Sequence, residues 1–354
     1  MPQVSFMLLA QEAAKAGPPD PRVQILGWWA LWMLILIVIL LLMVIAMLSL
    51  VLSRRRRSQY GQPRREWPAS VDPWIEAGRR MKAPDANPAD PEESGEPKLA
   101  VDVLSGQRPI ALVTGGVRRV GRSTCLALAR AGCDILCTYH SSDEEAATLA
   151  AELRKLGVGA VLHKLDLLDL DAVELFASYV AETLPRLDVL VHNASVYAAT
   201  PLHDLATQEA VQQLSINALS PLILTAKLAP LLRHSQLTGG GAIVAMADIH
   251  AMGRPRKDFI AYSMSKAALV ELVYSAAREL APFVRVNGVA PGVVAWPEAG
   301  VDADETAQAA YLRRVPLERA GTPQDAAEAV RWLALDAHYT TGQIIRVDGG
   351  RWIT

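Results

Sequence analysis

Cysteine and net charge are both scarce in this sequence, and each shortage narrows the kinds of site that it can contain. Three cysteines, Cys125, Cys133 and Cys137, occur among 354 residues. They form neither a Cys-x-x-Cys pair nor a Cys/His cluster with zinc spacing, so we predict no metal site and expect buried, reduced thiols, as in a cytoplasmic domain. The formal net charge is -2, which does not favour nucleic acid as a partner.

Charged residues are missing from the apolar run between Ile25 and Leu52. About 20 apolar residues span the hydrocarbon core of a bilayer. We therefore predict one transmembrane helix over residues 25–53, after a short N-terminal segment, 1–24. A cleaved signal peptide is the alternative, but it has a shorter apolar core and a small-residue cleavage site. This run is longer and ends in "SRRRR".

Residues at the two ends of this run predict its orientation. Trp28, Trp29 and Trp32 cluster at the N-terminal end, as in an interfacial aromatic belt. Four arginines, 54–57, follow the other end, while acidic and basic residues balance within 1–24. Because positively charged flanks stay on the cytoplasmic side, we expect a single-pass membrane protein whose C-terminal part lies in the cytoplasm. The lipid bilayer is then a partner of residues 25–53.

Residues 54–106 have the composition of a linker. They contain seven prolines, and their first half is basic while their second half is acidic. Few aliphatic side chains are present to form a core, so we predict a flexible, largely disordered segment.

From residue 107 to residue 354, short apolar runs alternate with stretches of helical periodicity. This alternation is typical of βαβ units around a parallel sheet. It predicts one α/β domain with a doubly wound, seven-stranded parallel sheet of the Rossmann type. The runs predicted as strands are IALVTG, CDILCTYH, AVLHKLDL, LDVLVHNA, GAIVAMA, VRVNGVAP and QIIRVDGG.

The first strand is followed by the glycine-rich turn "TGGVRRVG", Thr114 to Gly121, which opens the first helix. Such a turn lets backbone amides approach a pyrophosphate at the positive end of a helix. Arg118 and Arg119 lie inside the turn. They are either solvated surface charges or a clamp on an additional phosphate.

The end of the second strand favours one nicotinamide cofactor over the other. Sites that prefer NAD place an acid there to bind the ribose 2′-hydroxyl. Here Tyr139, His140 and Ser141 occupy the strand end, and the first acid, Asp143, comes in the next turn. Neutral donors beside two arginines suit a 2′-phosphate, so we predict NADP(H) rather than NAD(H).

The third and fourth strands also end in polar residues. Asp166 stands where an adenine amino group could be held, and Asn193, in "HNAS", stands near the adenine-side ribose. Because the carboxyl ends of parallel strands line one edge of the sheet, these residues belong to the same cofactor site.

Tyr262 and Lys266, in "YSMSK", are separated by four residues on a predicted helix and therefore share one face. A free tyrosine has a pKa near 10. We expect the neighbouring ammonium to lower that pKa and make the phenol an acid–base group at neutral pH. An exposed surface pair is the alternative.

These motifs together resemble the short-chain dehydrogenase/reductase family over residues 108–354. The matching elements are "TGGVRRVG", "HNAS", Asn217 in "LSINALSP", "YSMSK", "VNGVAPG" and "TGQIIRVDGG". The resemblance implies that Tyr262 donates the proton and that Lys266 activates it and binds ribose. It also implies that Asn217 supports a water chain to Lys266, and that Pro291 and Gly292 shape the nicotinamide pocket.

One position departs from most of that family. Where a serine is usual on the fifth strand, this sequence has Asp248, which is either a turn cap or a reacting acid. A carboxylate is a poor partner for a ketone oxygen that gains negative charge, but a good partner for a ring nitrogen that must gain a proton. Asp248, the "RR" of the glycine turn and the "YH" after the second strand resemble the pteridine reductase branch. Tyr197 is either a core residue or a stacking platform for a flat ring.

The resemblance thus implies an NADPH-dependent reductase of a dihydropteridine-like C=N bond. A 3-oxoacyl or other carbonyl reductase and a non-catalytic NADP(H)-binding scaffold remain alternatives, and a homo-oligomer, a tetramer or dimer, is implied as well. The predicted catalytic residues are Asp248, Tyr262, Lys266 and Asn217. The predicted cofactor-binding residues are Thr114, Gly115, Arg118, Arg119, Val120, Gly121, Tyr139, His140, Ser141, Asp166, Leu167, Asn193, Ala194, Ser195, Tyr262, Lys266, Pro291 and Gly292.

Overall fold

The computed structural model describes residues 103, 104, 106–296 and 304–354, together with the isolated positions 33, 36 and 43. The predicted transmembrane helix, 25–53, and the predicted linker, 54–106, lie outside the described residues apart from positions 33, 36, 43, 103, 104 and 106. Both therefore stay predictions.

A parallel sheet of seven strands forms the centre of the described domain. Its strand order is β3-β2-β1-β4-β5-β6-β7, which confirms the predicted doubly wound arrangement. The sequence runs of the strands are continuous and apolar because helices cover both faces of the sheet. The strands are β1 Ile110–Val113, β2 Asp134–Tyr139, β3 Ala160–Lys164, β4 Val189–His192, β5 Gly241–Met246, β6 Val284–Pro291 and β7 Ile344–Val347.

Eight α-helices are described around this sheet. They are α1 Arg119–Arg130, α2 Asp143–Lys155, α3 Leu170–Thr183, α4 Thr207–Leu214, α5 Ser220–Leu232, α6 Ile260–Leu280, α7 Glu305–Leu312 and α8 Pro323–Leu335. Helices α1, α2 and α8 share one apolar core with the sheet. Helices α3, α5 and α6 share the core on the other face. Helix α7 was not anticipated from the sequence.

Helices α4 and α5 form one continuous run, joined by a π-helical turn at Ser215–Leu219. The sequence pattern around 208–233 is that of one long helix, and the π-helical turn lies within it. The 26 residues from Thr207 to Leu232 are long and apolar enough to cross a bilayer, but 56% of the most apolar stretch is buried within the fold. We therefore interpret the run as a core helix.

Candidate active site

The glycine-rich turn after β1 is fixed to the end of β4 by hydrogen bonds. Thr114 Oγ1 accepts from the backbone N–H groups of Asn193, at 3.0 Å, and of Ala194, at 3.1 Å. The Asn193 side-chain amide donates in return to the carbonyls of Thr114 and Gly115, both at 2.9 Å. These bonds fix one side of the turn against the end of β4, and its other side faces a cleft.

Gly121 sits so close to the turn that a side chain would not fit. A Cβ at this position would lie 2.2 Å from the Gly115 carbonyl oxygen and 2.5 Å from the Asn193 amide nitrogen. Gly115 itself has φ +61°, a left-handed conformation that favours glycine. Open backbone at the start of α1 is the arrangement that receives a dinucleotide pyrophosphate, so the residues present fit the predicted cofactor.

The two arginines of the turn have different contacts. Arg118 precedes α1, and its guanidinium lies 3.6 Å from Glu145 in an exposed ion pair. Arg119 donates to the backbone carbonyl of Trp296, across the mouth of the cleft. Both line the cleft, which favours the clamp interpretation over isolated surface charge.

The residues predicted from the ends of β2 and β3 lie beside the cleft rather than in its wall. His140 Nε2 is 3.7 Å from Asp166 Oδ2, and Asp166 Oδ1 accepts from the backbone N–H of Leu168 at 2.9 Å. The Leu167 side chain is buried, so only its backbone could face a cofactor. Tyr139 and Ser141 complete this group at the carboxyl edge of the sheet.

Tyr262 and Asp248 meet directly. The Tyr262 hydroxyl donates to Asp248 Oδ2 at 2.8 Å, and Asp248 Oδ1 accepts from the His250 backbone N–H at 2.7 Å. Asp248 is thus both a cap of the short 3₁₀ turn Ile249–Ala251 and a partner of the phenol. The turn-cap interpretation of this carboxylate is confirmed, its other oxygen accepts from the phenol, and its role as a reacting acid stays a prediction.

Lys266 lies one helical turn after Tyr262, with its ammonium nitrogen 6.0 Å from the centre of the phenol ring. It donates to the Met246 carbonyl at 2.7 Å. Tyr262 is 6% exposed and Lys266 is 2% exposed, so the alternative of a surface pair is wrong. Burial lowers the pKa of Lys266 to about 8, although the Asp248 charge acts in the opposite direction.

The prediction that Lys266 lowers the pKa of the Tyr262 phenol is wrong. The pKa of Tyr262 is raised well above its usual value, first by burial and then by the charge and hydrogen bond of Asp248. A phenolate would place a second negative charge beside the carboxylate without the solvation that water gives. The phenol of Tyr262 therefore keeps its proton at neutral pH.

Asn217 occupies the π-helical turn, and its side chain is fully engaged. Its amide oxygen accepts from the Val196 N–H, while its amide nitrogen donates to the Val196 carbonyl and to Ser265 Oγ, each at 2.9 Å. The side chain thus joins the segment after β4 to helix α6. In this arrangement it positions other groups, and only its backbone remains for the predicted water chain.

A cleft of about 650 Å³ brings most of the predicted residues together. Its wall includes the glycine turn, the end of β4, Asp248, Tyr262, Lys266, Pro291 and Gly292. Thr114 and Asn217 support this wall from behind. The β2 and β3 residues Tyr139, His140, Ser141, Asp166 and Leu167 are not part of it. Other wall residues were not among the predicted site residues: Tyr197, His250, Arg256, Trp296 and Tyr311.

Tyr197 proves to be a cleft residue and not a core residue. Its ring stacks on Phe259 with centroids 4.7 Å apart and meets the Tyr262 ring edge-on at 4.8 Å. Arg256 lies over both rings of the stacked pair. An aromatic surface therefore adjoins the phenol of Tyr262.

Comparison with known proteins decides the family. Residues 116–351 match the family model described as enoyl-(acyl carrier protein) reductase. The chain belongs to the short-chain dehydrogenase/reductase family. It is 34% identical over 245 residues to the uncharacterized oxidoreductase YohF of Escherichia coli, covering 68% of this chain and 94% of that protein.

Other short-chain dehydrogenases/reductases are similar over the same region. The 3-oxoacyl-[acyl-carrier-protein] reductase FabG of Staphylococcus aureus is 33% identical over 246 residues, which cover 69% of this chain and 98% of FabG. A solved structure from Beutenbergia cavernae, provisionally named an NAD(P)-dependent gluconate 5-dehydrogenase, contains NADP at low occupancy. It is 31% identical with a TM-score of 0.64, covering 69% of this chain and 96% of its own. The present chain is accordingly an NAD(P)-dependent oxidoreductase.

Proposed function

We propose that the chain is an NADPH-dependent reductase of a C=N bond in a flat, dihydropteridine-like substrate, anchored in a membrane by residues 25–53. One observation carries the choice of substrate: the Tyr262 hydroxyl donates to Asp248 at 2.8 Å inside the cleft. The cofactor is NADP(H), in keeping with the two arginines of the glycine turn and with the NADP-containing relative.

Bound NADPH supplies the hydride for the carbon of the C=N bond. The chain must supply one proton for the neighbouring nitrogen, and Tyr262 holds that proton because its pKa is raised. A ring nitrogen that becomes more basic as the carbon is reduced competes with Asp248 for the phenol proton. The Asp248 charge also stabilises a positively charged ring, whereas it would oppose the negative charge that grows on a ketone oxygen.

Lys266 and Asn217 support this proton transfer. The Lys266 ammonium lies one turn from Tyr262 and stabilises the phenolate that is left after the transfer. Asn217 holds Val196, the neighbour of Tyr197, and Ser265, which donates to the Tyr262 carbonyl, so it positions the aromatic surface against the phenol. Tyr197 is the residue on which we expect a flat ring to pack.

A carbonyl reductase is the second candidate, favoured by the similarity to FabG over 98% of that protein. The Tyr262–Lys266 pair would serve a ketone equally well. In that case Asp248 would have to be protonated or bound to water when the ketone is reduced, because a bare carboxylate repels the developing oxyanion.

Purified full-length chain in detergent provides the test. NADPH oxidation is followed with a dihydropterin and, separately, with a 3-oxoacyl thioester. We expect turnover of the dihydropterin to be at least tenfold faster in kcat/KM. Brisk turnover of the thioester, with none for any dihydropterin, transfers the assignment to the second candidate. Tight NADPH binding without turnover of either substrate favours the scaffold alternative.

Membrane attachment and self-association are parts of the same proposal with their own measurement. Full-length chain and a variant lacking residues 25–53 are compared by membrane flotation. Only the full-length chain is expected to float with vesicles. The mass of the full-length chain in detergent, measured by light scattering, tests whether it forms a dimer or tetramer.

A further inference from the structure

Arg256 introduces a positive charge at the end of the cleft that lies away from the glycine turn. Its guanidinium lies 4.5 Å from the centre of the Phe259 ring and 5.7 Å from that of Tyr197. The side chain is half-buried, so its charge is partly removed from water. Cation–π contact with two rings restricts the positions that the guanidinium can take.

The position of this charge relates it to the reacting atoms. Tyr197, under Arg256, is in edge-on contact with Tyr262 at 4.8 Å. The guanidinium contacts Tyr197, and Tyr197 contacts Tyr262. The charge of Arg256 lowers the Tyr262 pKa, but this effect is smaller than the opposing effects of burial and Asp248. The guanidinium is close enough to bind a substituent of the substrate but too far to replace the phenol as proton donor.

A second pocket of about 600 Å³ adjoins the first cleft through shared wall residues. His250 and Arg256 belong to the walls of both pockets. The far side of the second pocket is largely apolar, with Leu202, Ile260 and Met264 exposed in it. Arg256 therefore lies at the boundary of the two pockets, where a side group of a substrate in the first cleft would meet it.

Charges on the walls favour an acidic side group. In addition to Arg256, the second pocket contains Lys257, while Asp258 is its one described carboxylate. Guanidinium groups bind carboxylates and phosphates through two parallel hydrogen bonds, which makes such contacts selective as well as strong. A neutral side group would gain only the apolar contacts.

We propose that Arg256 is a specificity-determining residue that binds an anionic substituent, a carboxylate or a phosphate, on the substrate of the Tyr262 site. This inference rests on the proposed function for the identity of the reacting ring. It predicts that the enzyme prefers a dihydropterin with an acid-bearing side chain over the same ring with a neutral side chain.

Equilibrium binding tests the inference without requiring turnover. The full-length chain in detergent, saturated with NADP⁺, is titrated with two pterins that share a ring, one with a carboxylate-bearing side chain and one with the neutral amide of that side chain. We expect the wild type to bind the acid at least tenfold more tightly. In Arg256→Gln this ratio should fall to within about twofold of unity, and added salt should weaken only the acid's binding to the wild type.

Two further variants separate recognition from loop structure. Arg256→Lys should recover only part of the ratio, because an ammonium lacks the two-pronged geometry. Arg278→Gln removes the same charge from an exposed position near the end of α6 and should leave the ratio unchanged. A wild-type ratio near one, or an Arg256→Gln variant that retains the wild-type ratio, would overturn the inference.

Turnover of the two pterins is measured in parallel with binding and tests the proposed function separately. Pterin turnover without a preference for the acid leaves the proposed function intact and removes the inference. An Arg256-dependent preference in binding, without turnover of either pterin, supports the inference and removes the proposed function. If neither turnover nor a preference for the acid is found, the proposed function and the inference are both contradicted.

Discussion

The ammonium of Lys266 donates to the carbonyl of Met246 at 2.7 Å, joining helix α6 to the last residue of β5. This bond fixes the lysine one turn from Tyr262, and its side chain is buried. The same burial lowers the lysine pKa to about 8, so the charge that supports proton transfer can be lost within a pH range accessible to experiment.

The first prediction concerns pH. We expect kcat/KM for the dihydropterin to fall as pH rises through about 8, because deprotonated Lys266 cannot stabilise the phenolate. The Tyr262 pKa is raised, so the phenol is not the source of this fall. The charge of Asp248 raises the Lys266 pKa. In Asp248→Asn, the fall in the remaining kcat/KM at alkaline pH should therefore occur at a lower pH. A fall that stays in place or moves to higher pH contradicts the assignment.

The second prediction separates the two candidate reactions at one position. Asp248→Ser should reduce kcat/KM for the dihydropterin by about 10²–10⁴-fold, the usual contribution of a positioned acid–base group. The same variant should leave 3-oxoacyl reduction unchanged or faster, because a hydroxyl can donate to a developing oxyanion. Asp171→Asn, in the first turn of α3, is the control. Equal losses for both substrates would mean that Asp248 acts only as a cap.

The third prediction concerns the phenol. Tyr262→Phe should lower kcat about 10²–10⁴-fold while the NADPH dissociation constant changes less than threefold. Loss of the bond to Asp248 should cost about 0.5–1.5 kcal/mol in free energy of unfolding. Tyr274→Phe, at an exposed position of the same helix, should affect neither quantity. Substantial remaining turnover in Tyr262→Phe would remove Tyr262 as the proton donor.

The fourth prediction concerns the cradle for the cofactor. In Gly121→Ala the new Cβ would meet the Gly115 carbonyl oxygen at 2.2 Å, so the turn must shift and NADPH binding should weaken at least tenfold. Gly157→Ala is the matched control because nothing lies within 4 Å of its Cβ, while its φ of +70° makes alanine strained. That variant should lose some thermal stability and keep its NADPH affinity. Equal NADPH affinities for the two variants would contradict the role of Gly121.

The fifth prediction concerns the choice between cofactors. Arg118→Gln should raise KM for NADPH about tenfold or more and change KM for NADH little, because only the first cofactor carries a 2′-phosphate for a charge-assisted bond. Arg122→Gln, one turn further along α1 and paired with Glu152 at 2.5 Å, serves as the control. A parallel change for both cofactors would show that Arg118 shapes the turn and does not read the phosphate.

The fold was predictable because its strands are buried on both faces. A strand such as β5, Gly241–Met246, is apolar at every position, and glycine or polar residues mark where such runs end. The Tyr262–Lys266 pair was equally accessible, since a spacing of four on a helix fixes a shared face. Asp248 was identified by its place after β5, although its simultaneous role as a cap required coordinates.

Loop residues were the part that the sequence did not predict. Arg256, His250 and Trp296 reach the cleft from irregular segments, whose paths carry no periodic signal. The direction of the Tyr262 pKa shift was also missed. Spacing brought Lys266 near the phenol, but only the structure shows that burial and the 2.8 Å contact with Asp248 outweigh that ammonium.

The π-helical turn at Ser215–Leu219 makes the site depend on the number of residues in this segment as well as on their side chains. Such a turn contains one residue more than an α-helix would use, which sets α4 and α5 out of phase by about 100°. Asn217 reaches both Val196 and Ser265 from this turn. Removing a single residue there would restore an ordinary helix and swing the amide out of reach of both neighbours, so an enzyme with every catalytic group intact could be disabled by a deletion alone.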